Sequence, residues 1–311
     1  RRANFSIGWS NEGGSGNMAD EVSPTRVLRQ VASAVPEEMK PNIIVIGSLA
    51  AAYWLFKGDK SYGVRTKDID SVISPYVQAV DKGRAIAEKL LAEGWSPRTE
   101  GDFGKPGGAG TPEDKLPALR LFPPGEQSWF FELLTEPASD EQTERTFTRF
   151  VVNGTDHYGL PSFPFTGIVA FEAGGTESGI RCALPEMMAL ANMLEHQQIK
   201  PEKVKGTDTK RSNKDLGRVL AIASVSKESN MERWPERWRR GLTARFPKKA
   251  GDLAARAGDG IRALIGSEGD LYQAAESCNA GLLARKPTTP ERLREIGSRV
   301  LMLTEELKGL R

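Results

Sequence analysis

The sequence predicts an α+β fold: a mixed sheet with flanking helices in the N-terminal part, followed by a C-terminal helical domain. Three observations carry the prediction. The β-branched run Ile43-Ile44-Val45-Ile46 is stopped by Gly47 and followed at once by the small and helix-forming residues 49–56, as when a buried strand turns into a helix. Asp68 to Ile73 alternate polar and apolar, and Trp129 to Leu134 form a short, mostly apolar run; both have strand length and pattern. Beyond Pro185 apolar residues recur at helical spacing, and no strand pattern follows Cys182. The chain therefore divides into residues 18–180, which carry the sheet, and residues 181–311, which are helical. Residues 1–17 read as a tag or linker, because Gly13-Gly14-Ser15-Gly16 has linker composition.

The elements follow in order. Ser23-Pro24 is a helix start, and Val27, Leu28, Val31, Ala32 and Val35 continue it at helical spacing until Pro36 and Pro41. The strand at 43–46 and the helix at 49–56 come next, then a loop from Lys57 to Thr66 and the strand at 68–73. Gln78 to Glu93 is an amphipathic helix closed by Gly94. Gly101 to Asp114 is polar and glycine-rich, a surface loop. Ala118 to Phe122 and Trp129 to Leu134 read as a hairpin around Pro123-Pro124-Gly125. Phe147 to Val152 and Ile168 to Phe171 are further strand candidates. Helices are expected over 186–198, over 213–225, and in several pieces from Pro235 to Leu310.

Lysine and arginine number 43 against 41 acids, a net charge of +2. Any affinity for nucleic acid must therefore come from local clusters. Cys182 and Cys278 form no C-x-x-C pair and neither adjoins a histidine, which excludes a zinc knuckle and fits reduced thiols in a cytoplasmic protein. No apolar run approaches the ~20 residues of a membrane span, and no signal-peptide pattern is visible. A cytoplasmic location without membrane attachment is the expectation.

Chemistry-bearing residues gather at three places. Gly47-Ser48 ends a strand and opens a helix, where a close backbone approach and free N–H groups favour phosphate; the same pair also serves as an ordinary turn and cap. Asp68 and Asp70, two apart on a strand, share a face. Their repulsion is relieved by a divalent cation such as magnesium, or else the strand edge is solvated. Glu132 is the one acid in the run from Trp129 to Leu134. It either points outward from an edge strand or joins Asp68 and Asp70 in a three-carboxylate metal cluster suited to phosphoryl or nucleotidyl transfer.

Ile43 to Ala51, followed by Arg65-Thr66-Lys67-Asp68-Ile69-Asp70, resembles the DNA polymerase β superfamily of nucleotidyltransferases, and more narrowly the AbiEii-type toxin nucleotidyltransferases. The resemblance covers about residues 40–75 and 125–220. It implies an N-terminal nucleotidyltransferase-like sheet, with Asp68, Asp70 and Glu132 as catalytic and Mg2+-binding acids. The family usually has Asp where Glu132 stands. It implies nucleotide contacts from Gly47, Ser48, Arg65 and Lys67. Lys210-Arg211-Ser212-Asn213-Lys214-Asp215 resembles a segment whose basic residues face the triphosphate, adding Lys210, Arg211, Lys214 and Asp215. The sequence departs from the family at Gly217-Arg218, where an acid is often found. The implied reaction moves an NMP from an NTP to a hydroxyl.

The acceptor stays open. The resemblance implies tRNA, a toxin–antitoxin or phage-defence role, and a cognate antitoxin partner. Arg233-Trp234-Pro235-Glu236-Arg237-Trp238-Arg239-Arg240 interleaves tryptophans and cations. It reads either as a surface on which bases stack or as a helix whose two tryptophans, four apart, pack in the core. An antibiotic or small-metabolite nucleotidyltransferase is the alternative enzyme, and a catalytically inactive NTP- or RNA-binding module the alternative of another class. His157 and His196 are far apart and are expected to be incidental polar residues.

Overall fold

The computed structural model describes residues 21–57, 59, 62–99 and 105–309. The tag or linker expected over residues 1–17 lies outside the described residues, as does the 101–114 loop up to residue 104. Strand β1 (Glu21–Val22) precedes helix α1 (Pro24–Ala34), capped by Ser23 Oγ, which accepts from the Arg26 amide. Strand β2 (Ile43–Val45) runs into α2 (Gly47–Leu55), then β3 (Val64–Arg65), β4 (Asp68–Ile73) and α3 (Ala79–Ala92). Strands β5 (Ser96–Pro97), β6 (Arg120–Phe122), β7 (Phe130–Thr135), β8 (Thr146–Val152) and β9 (Asp156–Ser162) follow. Helix α4 (Thr166–Ala170) and strands β10 (Gly174–Gly175) and β11 (Arg181–Cys182) close the sheet-bearing part.

The main sheet has nine strands in the order β10-β11-β2-β4-β7-β6-β5, with β9 beside both β7 and β8. It is mixed: β4 runs parallel to β7 and β11 parallel to β2, while β2–β4, β6–β7 and β8–β9 are antiparallel. The short β1 and β3 pair separately. Registration of β4 on β7 sets Asp70 beside Glu132, and the β6–β7 hairpin sets Arg120 opposite Glu132. Alternation along a strand then puts Asp68, Asp70, Glu132 and Arg120 on one face and Ile69, Ser71, Ile73, Phe131 and Leu133 on the other. That second face meets α3, which approaches closely enough at Gly83 that a Cβ would lie 3.1 Å from Ile73 Cδ1. Ile43, Ile44, Val45 and Ile46 are at most 1% exposed; each buried side chain of this size contributes roughly 1.5–3 kcal/mol.

The remaining chain is helical: α5 (Pro185–Glu195), α6 (Arg211–Val225), α7 (Glu228–Met231), α8 (Trp234–Arg245), α9 (Ala250–Arg256), α10 (Asp259–Ile265), α11 (Glu268–Ala280) and α12 (Pro290–Glu305). Helix α5 is buried from Pro185 through Leu194, because it packs against α2, α4, α6 and α8. One continuous hydrophobic core runs from the sheet into these helices. No helix among the described residues is long and apolar enough to cross a membrane.

Two expectations change, and one pair of alternatives is decided. Ile168 to Phe171 is not a strand: residues 166–170 form α4, with Ile168, Val169 and Ala170 all buried. A short apolar run has no period long enough to separate the two forms. The Arg-Trp segment is a core helix, not a stacking surface. Trp234 and Trp238 are 2% and 0% exposed, with ring centroids 5.5 Å apart, and Trp238 Nε1 donates to the Glu186 carbonyl at 2.8 Å. Its cations meet acids of the rest of the fold: Arg237 with Glu186, Arg240 with Glu172, and Arg245 with Glu136 at 3.3 Å. Finally, His196 is not incidental. It is buried, with Nε2 2.9 Å from Asp215 Oδ2.

Candidate active site

A turn between β2 and α2 begins the site. Gly47 has φ +90°, a left-handed conformation that glycine adopts without strain. The Ile46 amide donates to the Asp70 carbonyl at 2.9 Å, which fixes the start of α2 beside β4. Ser48, in the first turn of α2, then lines a cleft with Asp68 and Asp70. Arg65 and Thr66 form the approach to β4, where Thr66 Oγ1 donates to the Asp68 carbonyl at 3.1 Å. From α6 come Lys214 and Arg218, one helical turn apart, and from the end of α11 come Ser277, Cys278, Gly281 and Leu282. The cleft holds about 510 Å³ counted out to its solvent mouth.

The acid pair is buried, Asp68 at 7% and Asp70 at 3% exposure. Burial, followed by the charges of Asp68 and Glu132, holds the Asp70 carboxyl well above its ordinary range, although Arg120 and Arg218 oppose the shift. Asp70 Oδ1 is buried without a hydrogen-bond partner. A buried carboxylate oxygen without a donor is expensive. Two acids on one strand face with such an oxygen fit a divalent cation. Burial pushes the Lys214 ammonium down to about 7, helped by the like charge of Arg218 and resisted by Asp215 and Asp68.

Glu132, whose charge acts on Asp70, is itself held by a guanidinium. Its Oε2 accepts from Arg120 Nε at 2.5 Å, with both side chains almost wholly buried. Among the described residues no group of three His, Cys, Asp or Glu side chains is set to hold a metal ion. Glu132 thus stands beside Asp70 across the β4–β7 register and is paired with the Arg120 guanidinium.

Of the residues expected from sequence, Ser48, Arg65, Asp68, Asp70 and Lys214 line one cleft. Gly47, Lys67, Glu132, Lys210, Arg211 and Asp215 are not among its lining residues. The Gly47 amide points to Met188 Sδ at 3.3 Å, and the Lys67 carbonyl accepts from the Phe130 amide. Lys210 Nζ lies 2.6 Å from Asp270 Oδ1, while Arg211 opens α6 with its amide on the Glu202 carbonyl. Asp215 is buried between His196 and Arg218. Burial alone would raise Asp215, but the hydrogen bond and charge of His196, then Arg218 and Lys214, hold it low.

Sequence reasoning named Thr66 only as part of a motif, and it missed Arg218, Arg120 and the α11 wall as site features. Arg218 was accessible to it, since residues four apart on a helix share a face and Lys214 was already a candidate. Arg120 was not, because its partner is set by hairpin register.

No family model matches the chain, and no curated protein matches it. Among solved structures it is similar to an antigenic nucleotidyltransferase-like protein from Paracoccidioides brasiliensis. The two share 16% identity with a TM-score of 0.34, over 76% of this chain and 95% of that one.

Proposed function

We propose that the chain is a nucleotidyltransferase that moves an NMP from an NTP to a hydroxyl acceptor at the Asp68–Asp70 cleft. The observation that carries this is the buried acid pair, with Asp70 Oδ1 unpartnered, facing Ser48 at a helix start and the cations Lys214 and Arg218. The sequence resemblance adds its support at Arg65, Thr66, Asp68 and Asp70.

In the proposed reaction the acceptor oxygen bonds to the α-phosphorus, the bond to the bridging oxygen of the β-phosphate breaks, pyrophosphate leaves, and the hydroxyl proton passes to solvent or base. Asp68 and Asp70 are the residues to hold Mg2+, which would supply Lewis-acid activation of the hydroxyl and charge on the triphosphate. Lys214 and Arg218 offset the negative charge of the phosphates. Ser48 places its N–H and hydroxyl at the positive end of α2. Ser277 to Leu282 form a wall that limits water around the reacting groups.

The acceptor implied by the resemblance is tRNA, with a toxin role and an antitoxin partner. Burial of Trp234 and Trp238 removes the stacking surface that favoured RNA on physical grounds. The test is incubation with each α-labelled NTP, magnesium and either total RNA or a panel of small hydroxyl acceptors, followed by denaturing electrophoresis or chromatography. Label should move to one acceptor class and be lost in Asp68→Ala and Asp70→Ala. Transfer to a small molecule alone would replace the tRNA reading. Triphosphate binding without transfer to any acceptor would favour an inactive binding module, and absence of both would overturn the proposal.

A further inference from the structure

Arg218 belongs to the Gly217-Arg218 pair at which the sequence departs from the resembling family, and it lines the acid-bearing cleft. Its setting is built. Arg218 Nη1 donates to Asp215 Oδ1 at 2.9 Å, and the other oxygen of Asp215 lies 2.9 Å from His196 Nε2. Asp215 and His196 are 2% and 4% exposed. His196 caps α5, and its carbonyl is closed in by Gly260, where a Cβ would lie 1.8 Å away. The chain His196–Asp215–Arg218 thus starts in packed helical core and ends at the cleft. Asp215 cannot turn outward without stranding His196, so the carboxylate serves as a fixed strut behind the guanidinium.

A guanidinium presents its N–H donors in a planar fork, and one of them fixes Arg218 on Asp215. It is the side chain best matched to phosphate oxygens. Arg218 also acts on Asp68 and Asp70, the two acids of the cleft. Resting on the nucleotidyltransferase reading, we propose that Arg218 is a phosphate-holding residue of the cleft and that Asp215 and His196 are positioning residues that aim it. The segment from Lys210 to Asp215 then divides: Lys210 braces α6 against α11 through Asp270, and phosphate recognition shifts along the helix to Lys214 and Arg218.

The test is calorimetric titration of the full chain, with magnesium, using the four α,β-methylene nucleoside triphosphates, pyrophosphate and the matching nucleosides. Arg218→Gln should weaken triphosphate and pyrophosphate alike by about 10- to 100-fold, the range of a hydrogen bond to a charged group, with nucleoside binding unchanged. Arg218→Lys, which keeps the charge but not the fork, should recover part of that loss. His196→Gln should weaken pyrophosphate by several-fold without touching the nucleoside. A merely structural role would move all ligands together and would overturn the proposal. So would Arg218→Gln binding pyrophosphate as the wild type does. If Arg218→Gln fails to fold, unchanged pyrophosphate affinity in both Arg218→Lys and His196→Gln refutes it. Wild-type protein that binds no triphosphate brings down the nucleotidyltransferase reading and this one together; wild-type binding with unaffected variants brings down only this one.

Discussion

Replacing Asp70 with asparagine should stabilise the protein while destroying the proposed activity. Asp68 and Asp70 project from the same strand face about 7 Å apart, and at an effective dielectric of ~20 two like charges at that distance repel by roughly 2.4 kcal/mol. Glu132 adds repulsion from β7, and Arg120 and Arg218 remove part of the total, so a net gain of about 1–2 kcal/mol is expected from neutralising Asp70. For a chain of this length that is a rise in melting temperature of about 1.5–3 °C. The pH dependence has a definite sign. Asp70 has a native proton affinity above its ordinary value of 3.8, so the native state binds more protons than the unfolded state between those two values. Wild-type stability therefore falls relative to Asp70→Asn as pH rises from about 4 through the raised native value, then levels off; below that window the two proteins converge. Differential scanning calorimetry at pH 4 and pH 8 without metal measures this. Magnesium should then raise the wild-type melting temperature at pH 8, by about 2.7 kcal/mol of added stability at a hundredfold excess over Kd, and leave Asp70→Asn nearly unmoved. An Asp70→Asn protein that melts lower than wild type at pH 8, or that gains as much from magnesium, would refute the reasoning.

Glu132→Gln should lower stability by about 1–3 kcal/mol by replacing a charge-assisted hydrogen bond to Arg120 with a neutral one, read as a fall in urea midpoint. The double substitution Glu132→Leu with Arg120→Met should recover most of that loss. Trp238→Phe should lose the hydrogen bond to the Glu186 carbonyl and some packing, costing about 1–3 kcal/mol. Selective fluorescence of Trp234 and Trp238 should not change when RNA is added.

The fold was legible where one face of an element is buried and the other is not. The run at Ile43–Ile46 and the alternation at Asp68–Ile73 declare their strands because period and burial agree. Strand β9 was hidden: Gly159 and Pro161 sit inside it and break its composition. Local sequence located the acid pair, because i and i+2 on a strand fix a shared face without reference to anything else. Glu132 could not be assigned the same way. Its role depends on Arg120, twelve residues away along the chain, which meets it through the β6–β7 register. Trp234 and Trp238 show the same limit, since helical spacing places them on one side but does not say whether that side meets solvent or α5. His196 and Asp215 are joined only when α5 and α6 pack, an event no window of sequence contains.

The wall of the cleft has a consequence for how the protein comes into being. Ser277 to Leu282 follow Ser48, Asp68 and Asp70 by roughly 200 residues along the chain. Contacts of such long separation form late and slowly. Until the helices that carry them pack, the two acids meet neither the α6 cations nor the α11 wall. The cleft is therefore complete only once α6 and α11 have docked on the sheet, and a chain cut before α11 lacks that wall.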